Sequence, residues 1–196
     1  MVEETDAANH AGHSVWSDGR SVYVNLNESF LGVSFEAHTN PAPAASGRGG
    51  IDINPAQVRA AAMLTEMLRG RYAIAAQNCV THAQVSVNPA SMLAGYHTDW
   101  ASGFPFEQLG LPDNYAIPLP AITLFGFEYD AHFAGLENSS LYPGIVRGEQ
   151  SLRDTAARLH ISLETFRQKL QTRYRERTPA VRELTRDTDL EAAAAE

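Results

Sequence analysis

The chain has 196 residues, of which 44% are hydrophobic and 19% charged, with a formal net charge of −8. That balance excludes a disordered polyelectrolyte and a membrane-embedded bundle, and no apolar run approaches the ~18 residues that cross a bilayer. The single cysteine, Cys79, excludes an internal disulfide and a multi-cysteine zinc site. Charge is uneven. Residues 149–186 are net basic, whereas the residues before them and the tail 187–196 are net acidic, so the first 148 residues have no net attraction for nucleic acid. The acidic start, MVEETDAANH, is no signal peptide. The chain as written is therefore expected to stay in the cytoplasm, or to reach the cell wall or exterior if its true start lies upstream.

In chain order, residues 20–37 predict two strands around an Asn/Glu turn. The second, Phe30–Ala37, alternates Leu31, Val33 and Phe35 with Gly32, Ser34 and Glu36, which predicts one buried face. Residues 40–50 read as a Pro/Gly/Ala loop. Asn54 as N-cap and Pro55 at the first helical position open a helix. Its stripe is Val58, Ala61, Ala62, Leu64, Thr65 and Leu68, and Gly70 is its expected C-cap. A short strand, Asn78–Thr81, is expected to end at His82, followed by a long irregular loop over 83–102. Residues 119–129 read as an apolar strand or an extended packed segment. Residues 149–175 predict two amphipathic helices, lined by Leu152, Ala156 and Leu159, then by Leu163, Phe166, Leu170 and Tyr174, with Ser162 capping the second. Their spacing matches a helix-turn-helix core, with Arg167, Lys169 and Arg173 available to phosphates. His160, however, stands where that motif usually has Gly. An accessory hairpin is the expectation, and nucleic acid is not an expected partner.

The chemistry-bearing residues are His82 and the group Tyr96-His97-Thr98-Asp99-Trp100. A neutral imidazole and a carboxylate are both good zinc ligands. The same residue types also serve as ordinary structural hydrogen-bonders, and spacing alone leaves both roles open. The surrounding motifs go further. THAQVS at 81–86 and HTDWASGFPFEQLGL at 97–111 resemble the end of the zinc amidase domain of peptidoglycan recognition proteins and bacterial muramoyl-alanine amidases. His10-Ala11-Gly12-His13-Ser14-Val15-Trp16 resembles that family's Trp-His-Ala-Gly-x-Ser-x-Trp segment. Asn27–Glu36 resembles its Asn-x-x-Ser-Ile-Gly-Ile-Glu-Phe-Glu strand, and the helix from Pro55 sits where the family has one. The resemblance covers about half the chain, in the family's order.

The resemblance implies an α/β fold: a central mixed β-sheet with packed helices over 1–130, N-terminally incomplete. A C-terminal extension over 131–186 would carry the hairpin at 149–175, followed by a disordered acidic tail over 187–196. It implies Zn²⁺ as cofactor, with His82 and Asp99 as ligands. His97, in the place of the family's Lys, would be a catalytic helper and no ligand. His10 and Trp16 would contact substrate, and peptidoglycan or a muropeptide would be the partner. The implied activity is hydrolysis of the N-acetylmuramoyl-L-alanine amide. Three departures stand out. Trp100-Ala101 replaces Pro-Gly. Ser34 replaces a catalytic Glu, for which Glu36 is the expected substitute. The family's first zinc ligand, on an N-terminal strand, has no counterpart before His10. The chain beginning at Met1 is accordingly expected to be an incompetent amidase whose reading frame starts too late, with a non-catalytic muropeptide-binding module as the alternative.

Overall fold

The computed structural model describes residues 9–36, 38–39, 51–97, 99–100, 102–129 and 141–178. The tail 187–196 and the loop 40–50 lie outside these. The architecture is mixed α/β. Among the described residues, the strands form three small ladders: β1 (Val15–Ser17) with β2 (Val22–Val24), β3 (His38–Thr39) with β4 (Ile51–Asp52), and β5 (Val87–Asn88), β6 (Leu93–Ala94) and β7 (Glu128–Tyr129) in that order. The last is a mixed sheet, with β5–β6 antiparallel and β6–β7 parallel.

The first hairpin forms because Asp18 organises its turn: its carboxylate accepts from the amides of Arg20 at 2.9 Å and Ser21 at 2.8 Å. Adjacent residues on a strand face opposite ways. Val15 accordingly enters the main core, while Trp16 enters a second cluster with Ala11, Leu26 and Val85.

The expected strand Phe30–Ala37 does not form over its described residues. Residues 31–36 have no ladder partner among the described residues, and Leu31 and Val33 are 46% and 53% exposed. Alternation needs a neighbouring strand to satisfy the backbone before it can bury a face. Here only Phe35 turns inward, against the rings of Trp100 and Phe104.

Helix α1 (Pro55–Tyr72) starts as its caps predict: the Asn54 side chain accepts from Ala56, and Gln57 returns to the Asn54 amide. It runs through Gly70 and ends at Ala73, whose φ is 53°. Only Ala61 of its stripe is fully buried, so α1 is peripheral. The strand expected at Asn78–Thr81 is instead a 3₁₀ turn (Ala76–Asn78) leading into α2 (His82–Val85). Thr81-His82-Ala83-Gln84 is a Thr-x-x-Gln capping box, a helix-start signal that outweighs the short β-prone run before it. Within 83–102, residues 86–94 are organised by the β5–β6 hairpin. The 119–129 segment is a helix, α3 (Pro120–Phe125), followed by β7. Pro120 sits at its start and Gly126, at φ 68°, closes it.

Helices α4 (Pro143–Arg158) and α5 (Leu163–Arg177) form the hairpin, with Ser162 accepting from Thr165 at its cap and His160 at φ 54° in the turn. Leu159 stays exposed. Leu152, Leu170 and Tyr174 join Val15, Leu119, Ile122 and Phe127 in a single core, so the hairpin is docked. Arg167 locks it: its guanidinium donates to Glu149 at 2.7 Å and to the Phe127 carbonyl at 2.8 Å, while Gln171 donates to the Gly126 carbonyl at 3.0 Å. Arg167 is thus committed inward and unavailable to a phosphate backbone. Arg167→Met is expected to cost about 2 kcal/mol in urea unfolding, because it strands the half-buried Glu149 carboxylate. The full chain is expected to show no sequence-selective, salt-sensitive affinity for duplex DNA in a fluorescence-anisotropy titration. No described helix is long and apolar enough to cross a membrane.

Candidate metal centre

The frame of the site is a buried polar relay. Thr81, Gln84 and Asn114 are all buried. The Thr81 amide donates to Gln84 Oε1 at 3.0 Å, Gln84 Nε2 donates to the Asn114 carbonyl at 2.9 Å, and Asn114 Nδ2 donates to the carbonyls of Ala76 and Cys79 at 2.8 and 2.7 Å. Each buried donor left open would cost about 1–3 kcal/mol, so the relay fixes the first turn of α2. His82 projects from that turn.

The returning chain is pinned to the same turn. Gly95 donates to the Ser86 carbonyl at 2.9 Å, and the His97 amide donates to Ser86 Oγ at 3.0 Å. The Ala83 amide, one of the free donors at a helix start, donates to the Asp99 carbonyl at 3.3 Å. The Tyr115 hydroxyl donates to the Trp100 carbonyl. Together these contacts bring His97 and Asp99 over α2.

His82 Nδ1 lies 3.0 Å from Asp99 Oδ2. The His82 and His97 rings stack with centroids 4.5 Å apart and planes at 20°. One ligand atom from each of His82, His97 and Asp99 falls within 4.8 Å of the other two. Burial would raise the Asp99 carboxyl, but the hydrogen bond and charge of His82 outweigh it and hold the group below its ordinary value. His97 is depressed, by burial first and by His82 second, against an opposing pull from Asp99. Both shifts favour the metal-binding forms, carboxylate and neutral imidazole. His82 Nε2 is buried and has no hydrogen-bond partner among the described residues. The side chains of His82 and Asp99 are 26% and 56% exposed, so the cluster is open to solvent.

The other expected residues are placed differently. Trp16 is fully enclosed, its indole N–H donating to Asn78 Oδ1 at 3.1 Å. It supports the floor under α2 and offers no surface to a ligand, which corrects the expectation that it contacts substrate. The His10 amide donates to Asn27 Oδ1 at 2.9 Å, and the His10 ring packs on Gly32, where a Cβ would lie 2.6 Å from Cγ. The His-Ala-Gly segment does border the site, since the Val87 amide donates to the His13 carbonyl at 2.9 Å and Ser14 bridges Ser86. Glu36 is exposed and not among the three clustered donors; its carbonyl accepts from Gln57 Nε2 at 2.8 Å. The relay through Gln84 and Asn114 and the pinning serine, Ser86, were not singled out from sequence, although the Thr-x-x-Gln pattern at 81–84 carried the signal for the first.

No protein-family model, no curated protein and no solved structure matches the chain.

Proposed function

We propose that His82, His97 and Asp99 hold a zinc ion, and that the chain acts on the amide joining N-acetylmuramic acid to L-alanine in peptidoglycan. The carrying observation is the convergence of two imidazoles and one carboxylate within 4.8 Å on an open surface. The family resemblance of the sequence supplies the substrate.

The donor set fits the metal. Three protein ligands with a fourth position open to water describe catalytic zinc. Two ligands of one tetrahedral zinc stand about 3.4 Å apart, given bonds of ~2.1 Å. The His82–Asp99 pair, at 3.0 Å, is already close to this separation. His97 offers a ligand atom within 4.8 Å of both and would turn from its stack on His82 to complete the set. When bound, zinc supplies a water ionised near neutral pH and polarises the carbonyl. The chain itself supplies a rigid His82, an ionised Asp99 and a neutral His97, without drawing on a ligand from outside this cluster. This replaces the helper role first expected of His97.

A second reading has its own support. Ser34 occupies the place of a catalytic carboxylate, and Glu36 does not join the cluster. Without that carboxylate to act as acid or base, the same site would hold a muropeptide without cutting it. Isothermal titration with zinc is expected to give one site per chain. Purified peptidoglycan incubated with the zinc-loaded protein is expected to release free L-alanyl amino groups. Failure to bind zinc sinks both readings of the metal; zinc and muropeptide binding without release selects the second.

A further inference from the structure

We propose that Trp100 is a stacking platform for the pyranose ring adjoining the scissile amide, a role that rests on the proposed amide-bearing glycan substrate. Trp100 follows Asp99 directly, so its Cα is about 3.8 Å from that of a proposed ligand. The residue is only half-buried. Its ring packs near-perpendicular to those of Phe35, at 5.8 Å and 73°, and Phe104, at 5.2 Å and 88°. These contacts brace the indole, and neither of the two rings is stacked parallel to it. Its backbone is held too: φ is 58°, a left-handed conformation that is an outlier for a bulky side chain, and its carbonyl accepts from the Tyr115 hydroxyl. Strain of this kind costs about 1–3 kcal/mol and persists where surrounding structure over-determines it. Here the outcome is a large, half-buried apolar ring on the residue next to Asp99, one of the three proposed ligands.

The chemistry of the substrate selects the occupant. In a muramoyl amide, three covalent bonds separate the amide carbonyl carbon from the pyranose ring. A carbonyl placed at the cluster therefore puts the sugar within a residue's length of it. The C–H face of a pyranose is apolar, and large rigid aromatic side chains are the usual carriers of such binding energy. A peptide chain leaving the same carbonyl runs the other way and has no need of Trp100.

The chain holds two tryptophans, and Trp16 is fully enclosed, so ligand-induced changes in fluorescence report Trp100. The full chain, with and without zinc, would be titrated with N-acetylmuramoyl-L-alanyl-D-isoglutamine, with N-acetylmuramic acid, and with the dipeptide alone. We expect saturable quenching by both sugar-bearing probes in either metal state, and none by the dipeptide. By calorimetry, Trp100→Leu should weaken the muramoyl probe about tenfold, whereas Trp100→Phe, which keeps an aromatic face, should weaken it less. Zinc stoichiometry and melting temperature should be unchanged in Trp100→Phe. A response to the dipeptide alone, or equal sugar affinity in all three proteins, overturns the platform. Sugar-dependent quenching in a protein that fails to take up zinc would leave the platform standing and remove the metal reading.

Discussion

Gly144→Ala is expected to destabilise the fold by about 3 kcal/mol, and Gly148→Ala, one helical turn further along α4, by no more than about 1 kcal/mol. A Cβ at Gly144 would sit 2.0 Å from the Ile117 carbonyl oxygen and 2.8 Å from that of Tyr115. Both are backbone atoms. No rotamer change relieves the clash, so α4 must back away from the 115–119 segment. That movement breaks the bond from the Leu119 amide to the Gly144 carbonyl, now 3.1 Å. It also loosens Ile145, Leu119 and Leu152, all buried in the core. At Gly148 the nearest atom would be the Leu119 nitrogen at 3.3 Å, a smaller intrusion offset by the better helix propensity of alanine. For a chain of this size the first change corresponds to a fall of roughly 6–12 °C in melting temperature. Near-identical melting curves for Gly144→Ala and wild type would show that α4 does not pack on 115–119 as described.

The second large effect concerns the metal. His82→Ala and Asp99→Ala should each lower zinc affinity more than ~100-fold, since each removes one of the three proposed ligands. His97→Ala should do the same if it is a ligand; unchanged zinc content in that variant would return it to a helper's role. Stability should barely move in the metal-free protein. The His82–Asp99 pair is partly exposed, and such pairs contribute at most about 1 kcal/mol. Calorimetric zinc titration beside urea unfolding separates the outcomes. A variant that loses much stability while keeping zinc would mark the cluster as a structural ion pair.

What the sequence made legible was local. Asn54-Pro55 opens α1 and Ser162 opens α5, because caps act over three or four residues and leave a readable signature. The hairpin's stripe put Leu152, Leu170 and Tyr174 inside. Strands were another matter. The alternation of Leu31, Val33 and Phe35 says which side chains share a face, but it cannot say whether a neighbouring strand exists to cover them. The apolar run 119–129 read as a strand or an extended segment, yet it folds as the helix α3, whose two ends Pro120 and Gly126 mark. At the site, His82 and Asp99 were singled out by motif, and their 3.0 Å approach depends on contacts through Ser86 and Ala83 that no spacing rule encodes. Trp16 shows the converse: its segment reads as cleft-lining, yet a strand residue facing a second core is enclosed.

The shared core has a consequence for biosynthesis. Val15 is buried with Ile122, Leu152 and Tyr174, so the first described strand cannot complete its burial until the second hairpin helix has left the ribosome. At about 5–20 residues per second, the interval from Val15 to Tyr174 lasts roughly 8–30 s. Until α5 emerges Val15 and α3 lack their C-terminal cover, so a nascent chain stalled with α5 still inside the ribosome should be captured by ribosome-associated chaperones, and one tethered by a C-terminal extension long enough to expose Tyr174 should be released from them.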